Sequence, residues 1–354
     1  MLTSGQLYRL SRFAMLETAK SGGFVLSSPL SRKQFAVKSE TIFRLLLLLG
    51  TPVRIDQILE SVSASARSTV EAFLVALDDA ELLTIVDEDG NSQDRANSFA
   101  HWEFHDLLFH SRSRTGRHAN GIGGTYRFKG VLEEEPALRR ANPETVIKLP
   151  ASSKDECSAG LAEVLDRRRS WRSSKPLGLA QLSALLYRCC RVTNAVEDAN
   201  GSYVHKVYPS GGGMHPLEVY VLAHSCTGLA AGLYRYSGMS HELEPIRKLD
   251  ERGYMLLEEA RFSAGGMPDY PAVLVIIAAR FRRTAWKYEG IAYRLMLLEA
   301  GTLIQTFCLV SEAIGLACCA LGCGNSDLFS ELAGSDYYME TSIAELILGG
   351  RRTQ

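Results

Sequence analysis

Three short segments carry residue types that could do chemistry together. They are Arg168-Arg169-Ser170-Trp171-Arg172, the stretch 208–216 with its three consecutive glycines, and Lys287-Tyr288. The first segment places three guanidinium groups and a hydroxyl within five residues. Such a group suits a phosphate monoester, because arginine matches its oxygens in a bidentate manner. The alternative is a solvated basic run at the end of a helix, where positive charge suits the macrodipole.

The second segment reads Pro209, Ser210, Gly211, Gly212, Gly213 and precedes a predicted strand. Three missing β-carbons in a row let the backbone come very close to a flat ligand. The glycines do not fit G-x-G-x-x-G, since no strand–turn–helix unit surrounds them, so a Rossmann dinucleotide site is not expected. The alternative is an ordinary flexible turn.

The third segment offers an amine and a phenol side by side, in Lys287 and Tyr288. Such a pair can take up and return protons at a carbon acid. The alternative is that the two residues only begin a helix, with Tyr288 packing against its neighbours.

The elements that must position these segments form an α+β domain, predicted over residues 156–354. A short helix at 161–165 ends at the arginines, and a strand at 217–223 follows the glycines. The apolar, β-branched run 272–278 predicts a central strand. A hairpin over 233–246, a long helix from Gly290 to about Cys319 and a last strand at 343–349 complete the prediction.

Residues 1–95 predict a small winged-helix-like domain, and 96–155 predict a connector. Helical spacing at 41–50, 55–60 and 65–81 is followed by a strand at 82–86 and a turn at 87–91. The third helix carries Arg67 against four acidic residues, so it would repel nucleic-acid phosphates. Docking of an extended peptide by strand addition and a purely structural role both stay open.

The composition is that of an ordinary globular protein. The chain has 354 residues, a formal net charge of −1, 46% hydrophobic and 22% charged residues. Nothing in it indicates a nucleic-acid or membrane partner, a secretion signal or a metal site. The eight cysteines lack zinc-ligand spacing and predict reduced thiols, so we expect a soluble, cytoplasmic protein.

In combination, these segments resemble the SagB/ThcOx type of nitroreductase-like flavoproteins, the azoline dehydrogenases of thiazole/oxazole peptides. The resemblance covers about residues 100–350. It rests on Arg168-Arg169-Ser170-x-Arg172, Pro209-Ser210-Gly211-Gly212, 232–236, Tyr288-Glu289-Gly290, 298–301 and 312–316. It implies an α+β nitroreductase-like FMN fold, with a mixed or antiparallel sheet and flanking helices, and a homodimer. It also implies that residues 1–95 form a leader-peptide recognition domain.

The resemblance also implies site residues. The arginine segment (Arg168, Arg169, Ser170, Arg172) would grip the FMN phosphate and ribityl chain, and residues 209–213 would run along the isoalloxazine. Leu321, Gly322, Cys323 and Gly324 would approach the flavin, although Cys323-Gly324 departs from the usual pattern after Leu-Gly-Gly. Arg351 or Arg352 would help to hold the phosphate, and Lys287 and Tyr288 would transfer protons.

The implied function is FMN-dependent oxidation of peptide thiazolines or oxazolines to azoles, during biosynthesis of a ribosomally made, modified peptide. The implied partners are an azoline-bearing precursor peptide and a cyclodehydratase complex. Three alternatives stay open. They are an FMN oxidase acting on a nonribosomal-peptide thiazoline, an NAD(P)H-dependent nitroreductase and a non-catalytic peptide-binding scaffold.

Overall fold

The structure is a computed structural model that describes residues 2–3, 5–19, 21–139, 141–151, 159–198 and 201–351. It divides into two compact units, Met1–Gly123 and Gly124–Gln354. The division between the two units falls inside the predicted connector 96–155. The predicted start of the flavin domain at 156 lies outside the described residues.

The first unit contains six strands and four α-helices among its described residues. The strands are β1 Leu7–Leu10, β2 Met15–Thr18, β3 Phe24–Ser27, β4 Gln34–Val37, β5 Val53–Arg54 and β6 Leu83–Val86; the helices are α1 Glu40–Leu48, α2 Ile55–Glu60, α3 Arg67–Asp79 and α4 Phe104–Arg112. They form two three-stranded sheets, β5-β1-β6 and β2-β3-β4. Buried Leu45, Leu74 and Leu77 join the helices in one core.

The three helices and the strand predicted in this unit are present. Ser39 caps α1 by accepting a hydrogen bond from the backbone N–H of Thr41. The prediction missed the four strands before α1, and β6 pairs antiparallel with one of them, β1. The winged-helix assignment stays a prediction.

The second unit is built on longer elements. Its strands are β7 Ile147–Lys148, β8 Leu177–Gly178, β9 Val192–Asp198, β10 Gly201–Lys206, β11 Leu217–Ala223, β12 Cys226–Thr227, β13 Gly232–Ser237, β14 Glu242–Lys248, β15 Val273–Arg280, β16 Leu316–Ala320 and β17 Glu340–Gly350. Its helices are α5 Leu161–Arg167, α6 Leu179–Cys190, α7 Glu251–Ser263, α8 Phe281–Ala285, α9 Ala292–Ala313 and α10 Ser326–Ala333.

A seven-stranded sheet in the order β16-β17-β15-β11-β13-β14-β7 forms the middle layer. Its strands pair antiparallel, so the antiparallel form of the predicted α+β fold is confirmed. Alternate residues of β11 face opposite layers. Val219 and Val221 belong to the core that includes α6 and α9 residues, and Tyr220 and Leu222 to the core that includes α7 and α10 residues.

The predicted end of the long helix near Cys319 is wrong. Helix α9 ends at Ala313, and Gly315 adopts a φ of 73°, which favours glycine and turns the chain into β16. Of the helices described, α9 is the one with the length and apolar composition of a membrane span. Its Met296, Leu303 and Phe307 are nevertheless buried in the core against the sheet.

Candidate functional site

The glycine loop and the lysine–tyrosine pair lie against each other. Lys287 Nζ donates a hydrogen bond of 3.3 Å to the carbonyl oxygen of Gly212. Gly212 has a φ of 64°, and a β-carbon built there would lie 2.1 Å from Tyr288 Oη. Glycine is therefore required at this position for two reasons, the left-handed backbone and the closeness of the phenol.

Three tyrosine rings surround the amine of Lys287. Its Nζ lies 5.7 Å from the centroid of Tyr126, 5.6 Å from that of Tyr203 and 5.4 Å from that of Tyr288. These distances allow cation–π contact with an ammonium group. A backbone hydrogen bond from Tyr126 N to Lys287 O, of 3.1 Å, fixes the first ring beside the lysine.

Buried polar groups hold the glycine loop in place. Ser210 Oγ donates to Glu299 of α9 and accepts a 2.8 Å bond from the backbone N–H of His215. His215 has a φ of 43°, and its Nδ1 lies 3.6 Å from Glu299 Oε1. Glu299 and His215 are almost fully buried, so these contacts hold the loop in a strained, defined shape.

Two buried arginines fix a second segment beside the site. Arg280 donates to the carbonyl oxygens of Pro136 (2.8 Å) and Ala137 (3.1 Å). Arg283 donates to the carbonyl oxygen of Glu135 at 2.7 Å, and Trp286 Nε1 to that of Leu132 at 2.9 Å. We call residues 132–137 the strap. Both guanidinium groups are also paired with carboxylates, Glu218 for Arg280 and Glu134 for Arg283.

The segment that carries the predicted phosphate-binding arginines lies beside the C-terminal part of α9. Trp171 N donates to Cys318 O of β16 at 2.9 Å, which holds the arginine segment along the sheet edge. Arg351 stacks over the Trp171 ring at 4.9 Å and pairs with Glu312. Trp171 Nε1 also donates to Glu312, at 3.3 Å. One buried carboxylate thus orders Arg351 and Trp171 together.

Within the described part of the chain, the guanidinium groups of Arg168 and Arg172 donate no hydrogen bond. Arg169 instead donates at 2.9 Å to the backbone oxygens of Asp166 and Arg168, and Ser170 is exposed. The segment therefore presents positive charge at its surface, which fits a phosphate group.

A cysteine pair lies beside these arginines. The Sγ atoms of Cys308 on α9 and Cys318 on β16 are 4.0 Å apart. The hydrogen bond from Cys318, together with the positive charge of Arg168, lowers the pKa of Cys308 to about 7. The thiolate is thereby favoured near the cationic segment.

The predicted segment Leu321–Gly324 borders a cavity of about 390 Å³ between α9 and β17. A β-carbon at Gly324 would overlap the carboxyl group of Glu345, and at Gly322 it would meet open space. Burial raises the pKa of Glu345. Ser263 Oγ lies 3.2 Å from Cys323 Sγ, and Gly265 lies beside Arg172, so the end of α7 adjoins both segments.

The structure thus brings the site residues into two groups. Pro209–Gly213, Lys287, Tyr288 and Leu321–Gly324 lie beside the N-terminal half of α9, whereas the arginine segment and Arg351 lie beside its C-terminal part. Glu299 contacts the first group and Glu312 the second, and at 1.5 Å per residue these positions are about 20 Å apart along the helix axis. Arg352 lies outside the described residues.

Sequence reasoning missed several residues that shape the site. The predicted site residues did not include Tyr126, Tyr203 or Glu299. They also did not include Arg280 and Arg283, which bind the strap. The run Arg280, Arg282, Arg283 directly after an apolar strand was an available signal. Arginines beside a core strand are buried only when they are paired, so the run indicates hydrogen-bond acceptors close to it. Nothing in the sequence around Tyr126 or Tyr203 sets those tyrosines apart from other tyrosines.

The nitroreductase family model matches residues 165–348, and the cyanobactin oxidase ThcOx model matches residues 8–119. The first match spans more than half of the chain, so the chain belongs to the nitroreductase family. The predicted resemblance and fold are thereby confirmed. A nitroreductase-family protein of Methanocaldococcus jannaschii is 34% identical over 46% of this chain and 78% of its own length.

Two further relatives are named as processing proteins. The microcin B17-processing protein McbC of Escherichia coli is 32% identical over 35% of this chain and 47% of its own length. The trifolitoxin-processing protein TfxB of Rhizobium leguminosarum bv. trifolii is 30% identical over 40% of this chain and 38% of its own length. The matched region thus spans less than half of each, and these comparisons support an oxidoreductase in coarse terms.

Proposed function

We propose that the chain is an FMN-dependent oxidoreductase that converts thiazolines or oxazolines in a ribosomally made peptide to thiazoles or oxazoles. The observation that carries the proposal is the contact of Lys287 and Tyr288 with Gly212. It joins a proton-transferring pair to a backbone loop suited to a flat ligand. The peptide-processing relatives and the ThcOx match support a peptide substrate.

The residues present fit FMN. The surface-presented charge of Arg168 and Arg172, with Arg351 ordered by Glu312, suits the phosphate. The cavity of about 390 Å³ beside Gly301 and Gly322, lined by glycines and apolar side chains of α9 and β17, offers space for a flat ligand. When bound, FMN would supply the redox chemistry, by accepting two electrons as a hydride.

The chain's own residues would handle the proton and the substrate's orientation. Lys287 and Tyr288 would take the α-proton of the azoline ring, and the tyrosine rings around Lys287 would hold the amine in place. The contacts among Ser210, Glu299 and His215 would keep the glycine loop in one conformation when the substrate binds. The loss of this proton and of a hydride together leaves an aromatic azole.

A homodimer would complete the site. The arginine group and the glycine loop lie about 20 Å apart along α9 of one copy. Side chains of α9 near the glycine loop, Tyr293, Leu297 and Leu298, are exposed in the single chain. We propose that two copies pair along α9, so that each site takes its arginines from one copy and its glycine loop from the other.

The test compares Lys287→Ala and Tyr288→Phe with Lys248→Ala and Tyr338→Phe, which alter exposed residues elsewhere in the same unit. Both site variants should keep FMN and lose about 10²–10⁴-fold in azole formation, the usual cost of losing a general base. Both controls should match the unaltered protein. Full azole formation by both FMN-loaded site variants would refute the assignment of the pair.

A nitroreductase is the second candidate, favoured by the likeness to the Methanocaldococcus jannaschii protein. It would use a nicotinamide cofactor to reduce the flavin. Rapid bleaching of the bound flavin by NADH or NADPH, without azoline turnover, would favour this activity.

A further inference from the structure

A second feature of the Gly124–Gln354 unit is an open groove of about 830 Å³. We call it the strap–hairpin groove. Its walls are the strap and the chain that follows it to β7, the β9–β10 hairpin, and the turn between β13 and β14. Neither the proton-transferring pair nor the arginine group lines it, so the groove is not explained by the site described above.

The groove continues to the candidate catalytic pair through one residue. Tyr203 lines the groove, its ring centroid lies 5.6 Å from Lys287 Nζ, and its Cδ1 lies 3.9 Å from a β-carbon built on Gly213. A molecule lying in the groove would therefore meet, at Tyr203, the amine proposed to act on the substrate.

The walls of the groove are rigid on the strap side. The carbonyl oxygens of Pro136 and Ala137 accept hydrogen bonds from Arg280, which is 1% exposed. The backbone N–H of Ala137 also donates a hydrogen bond of 3.0 Å to Ser202 Oγ in the hairpin. The strap and the hairpin are thus bonded at the inner end of the groove, while the outer end stays open.

The lining suits an extended, uncharged peptide. It is mostly small or apolar, with Ala141, Val146, Ala195, Val196 and Met239 among its residues, and among the lining residues that the structure describes Arg139 and Lys148 are balanced by Glu197 and Glu242. In the part of the chain that the structure describes, β9 pairs as a strand with β10 alone. The outer edge of β9 can therefore accept an added strand.

We propose that the strap–hairpin groove binds the substrate peptide itself, in extended form, beside the residue to be oxidised. The proposal rests on the proposed function and names its substrate class: a segment of small, uncharged residues flanking an azoline. Binding energy gained along the groove would hold the ring at Lys287 and Tyr288, which a short substrate could not exploit.

The experiment uses the full, FMN-loaded chain and two substrates. One is a synthetic Gly/Ser/Ala peptide of about ten residues with a central thiazoline, which spans about 33 Å when extended. The other is a thiazoline with only N-acetyl and N-methylamide caps. The groove variants are Ala195→Arg and Met239→Glu, both at exposed lining positions, and the control is Ala180→Arg, an exposed position on α6.

Both groove variants should raise KM for the long peptide about tenfold or more, a loss of about 1.4 kcal/mol of binding. Their kcat, their constants for the capped thiazoline and the control should stay within about twofold of the unaltered protein. Equal effects on both substrates, or none on either, would overturn the groove assignment while leaving the proposed function intact.

A binding readout separates the two proposals if no turnover is seen. A fluorescein-labelled, azoline-free peptide of the same composition is titrated with each protein, and its anisotropy is followed. Weaker binding to both groove variants than to Ala180→Arg supports the groove even if the capped thiazoline is never oxidised. Equal binding to all proteins, or no binding, overturns it.

Discussion

Lys287 Nζ lies 3.3 Å from the carbonyl oxygen of Gly212, and the phenol oxygen of Tyr288 occupies the space that a side chain at Gly212 would need. Two segments about 75 positions apart in sequence are therefore fitted to each other at the backbone level. The glycine loop therefore fixes the position of Lys287 and Tyr288, and these two side chains in turn restrict the conformation of the loop.

Gly212→Ala tests this fit. Its new β-carbon would lie 2.1 Å from Tyr288 Oη, so the phenol must move and azole formation should fall by at least tenfold, since displacements of about 1 Å cost as much or more. The matched control is Gly213→Ala, which has a similar φ of 69° but whose β-carbon would meet only Tyr203, at 3.9 Å.

Both alanine variants carry the same left-handed strain, about 1–2 kcal/mol. The melting temperature should therefore fall in both variants, and further in Gly212→Ala because of its added overlap with Tyr288, while turnover should fall much more in Gly212→Ala than in Gly213→Ala. Equal turnover in the two variants would show that Tyr288 does not need its place beside Gly212.

Arg168→Ala should weaken FMN binding. The loss of one charge-assisted hydrogen bond costs about 1.5–3 kcal/mol, or about 10–100-fold in the dissociation constant. A fluorescence titration of the FMN-free protein with FMN measures it. Arg252→Ala is the control, since Arg252 pairs with Glu331 at the surface. Unchanged FMN affinity in Arg168→Ala would remove this arginine from the phosphate site.

The thiol of Cys308 should report on the same arginine. Its pKa is about 7, lowered by the hydrogen bond from Cys318 and by Arg168, so alkylation by iodoacetamide should rise with pH and reach half its maximum near pH 7. Arg168→Ala should move that midpoint upward, because a cation that favours the thiolate is lost. Cys226, whose pKa burial raises to about 11, is the internal comparison in peptide mapping. A midpoint that Arg168→Ala leaves unchanged would contradict the placement of the two residues.

Glu345→Gln should stabilise the fold at neutral pH. Burial raises the pKa of Glu345 in the folded chain above its usual value, so the unfolded state loses this proton first as pH rises. The carboxylate therefore destabilises the fold above its folded pKa, and this penalty disappears below the unfolded pKa near ~4.3. The gain in melting temperature from Glu345→Gln should be larger at pH 7 than at pH 4.

Glu331→Gln alters an exposed carboxylate on α10 and serves as the control for that comparison. If the gain in melting temperature from Glu345→Gln did not vary with pH, burial would not be raising the pKa of Glu345 in the folded chain.

The sequence predicted five of the seven strands described for the main sheet of the second unit, because those strands are strongly apolar. Of the predicted strand 272–278, residues 273–278 fall within β15, where every residue is buried, and 343–349 fall within β17. It failed where a helix passes into a strand without a change in polarity. Leu316–Ala320 are as apolar as α9, and only Gly315 marks the break.

The candidate site was predictable as separate pieces and not as an arrangement. The glycines, the arginines and Lys287-Tyr288 each stood out by residue type. The strap, with its carbonyls held by Arg280 and Arg283, has no sequence pattern, because backbone acceptors are present at every residue. The same is true of Tyr203, whose importance comes only from what lies beside it.

The most direct test of the account mixes the FMN-loaded protein with the thiazoline peptide in the absence of oxygen, in a single turnover. We expect the visible absorbance of the flavin to bleach while the peptide loses two hydrogen atoms, a loss that mass spectrometry measures. Both events should be slower, to the same extent, in Lys287→Ala. A colourless protein, or a flavin that stays oxidised while the peptide mass stays unchanged, would contradict the account.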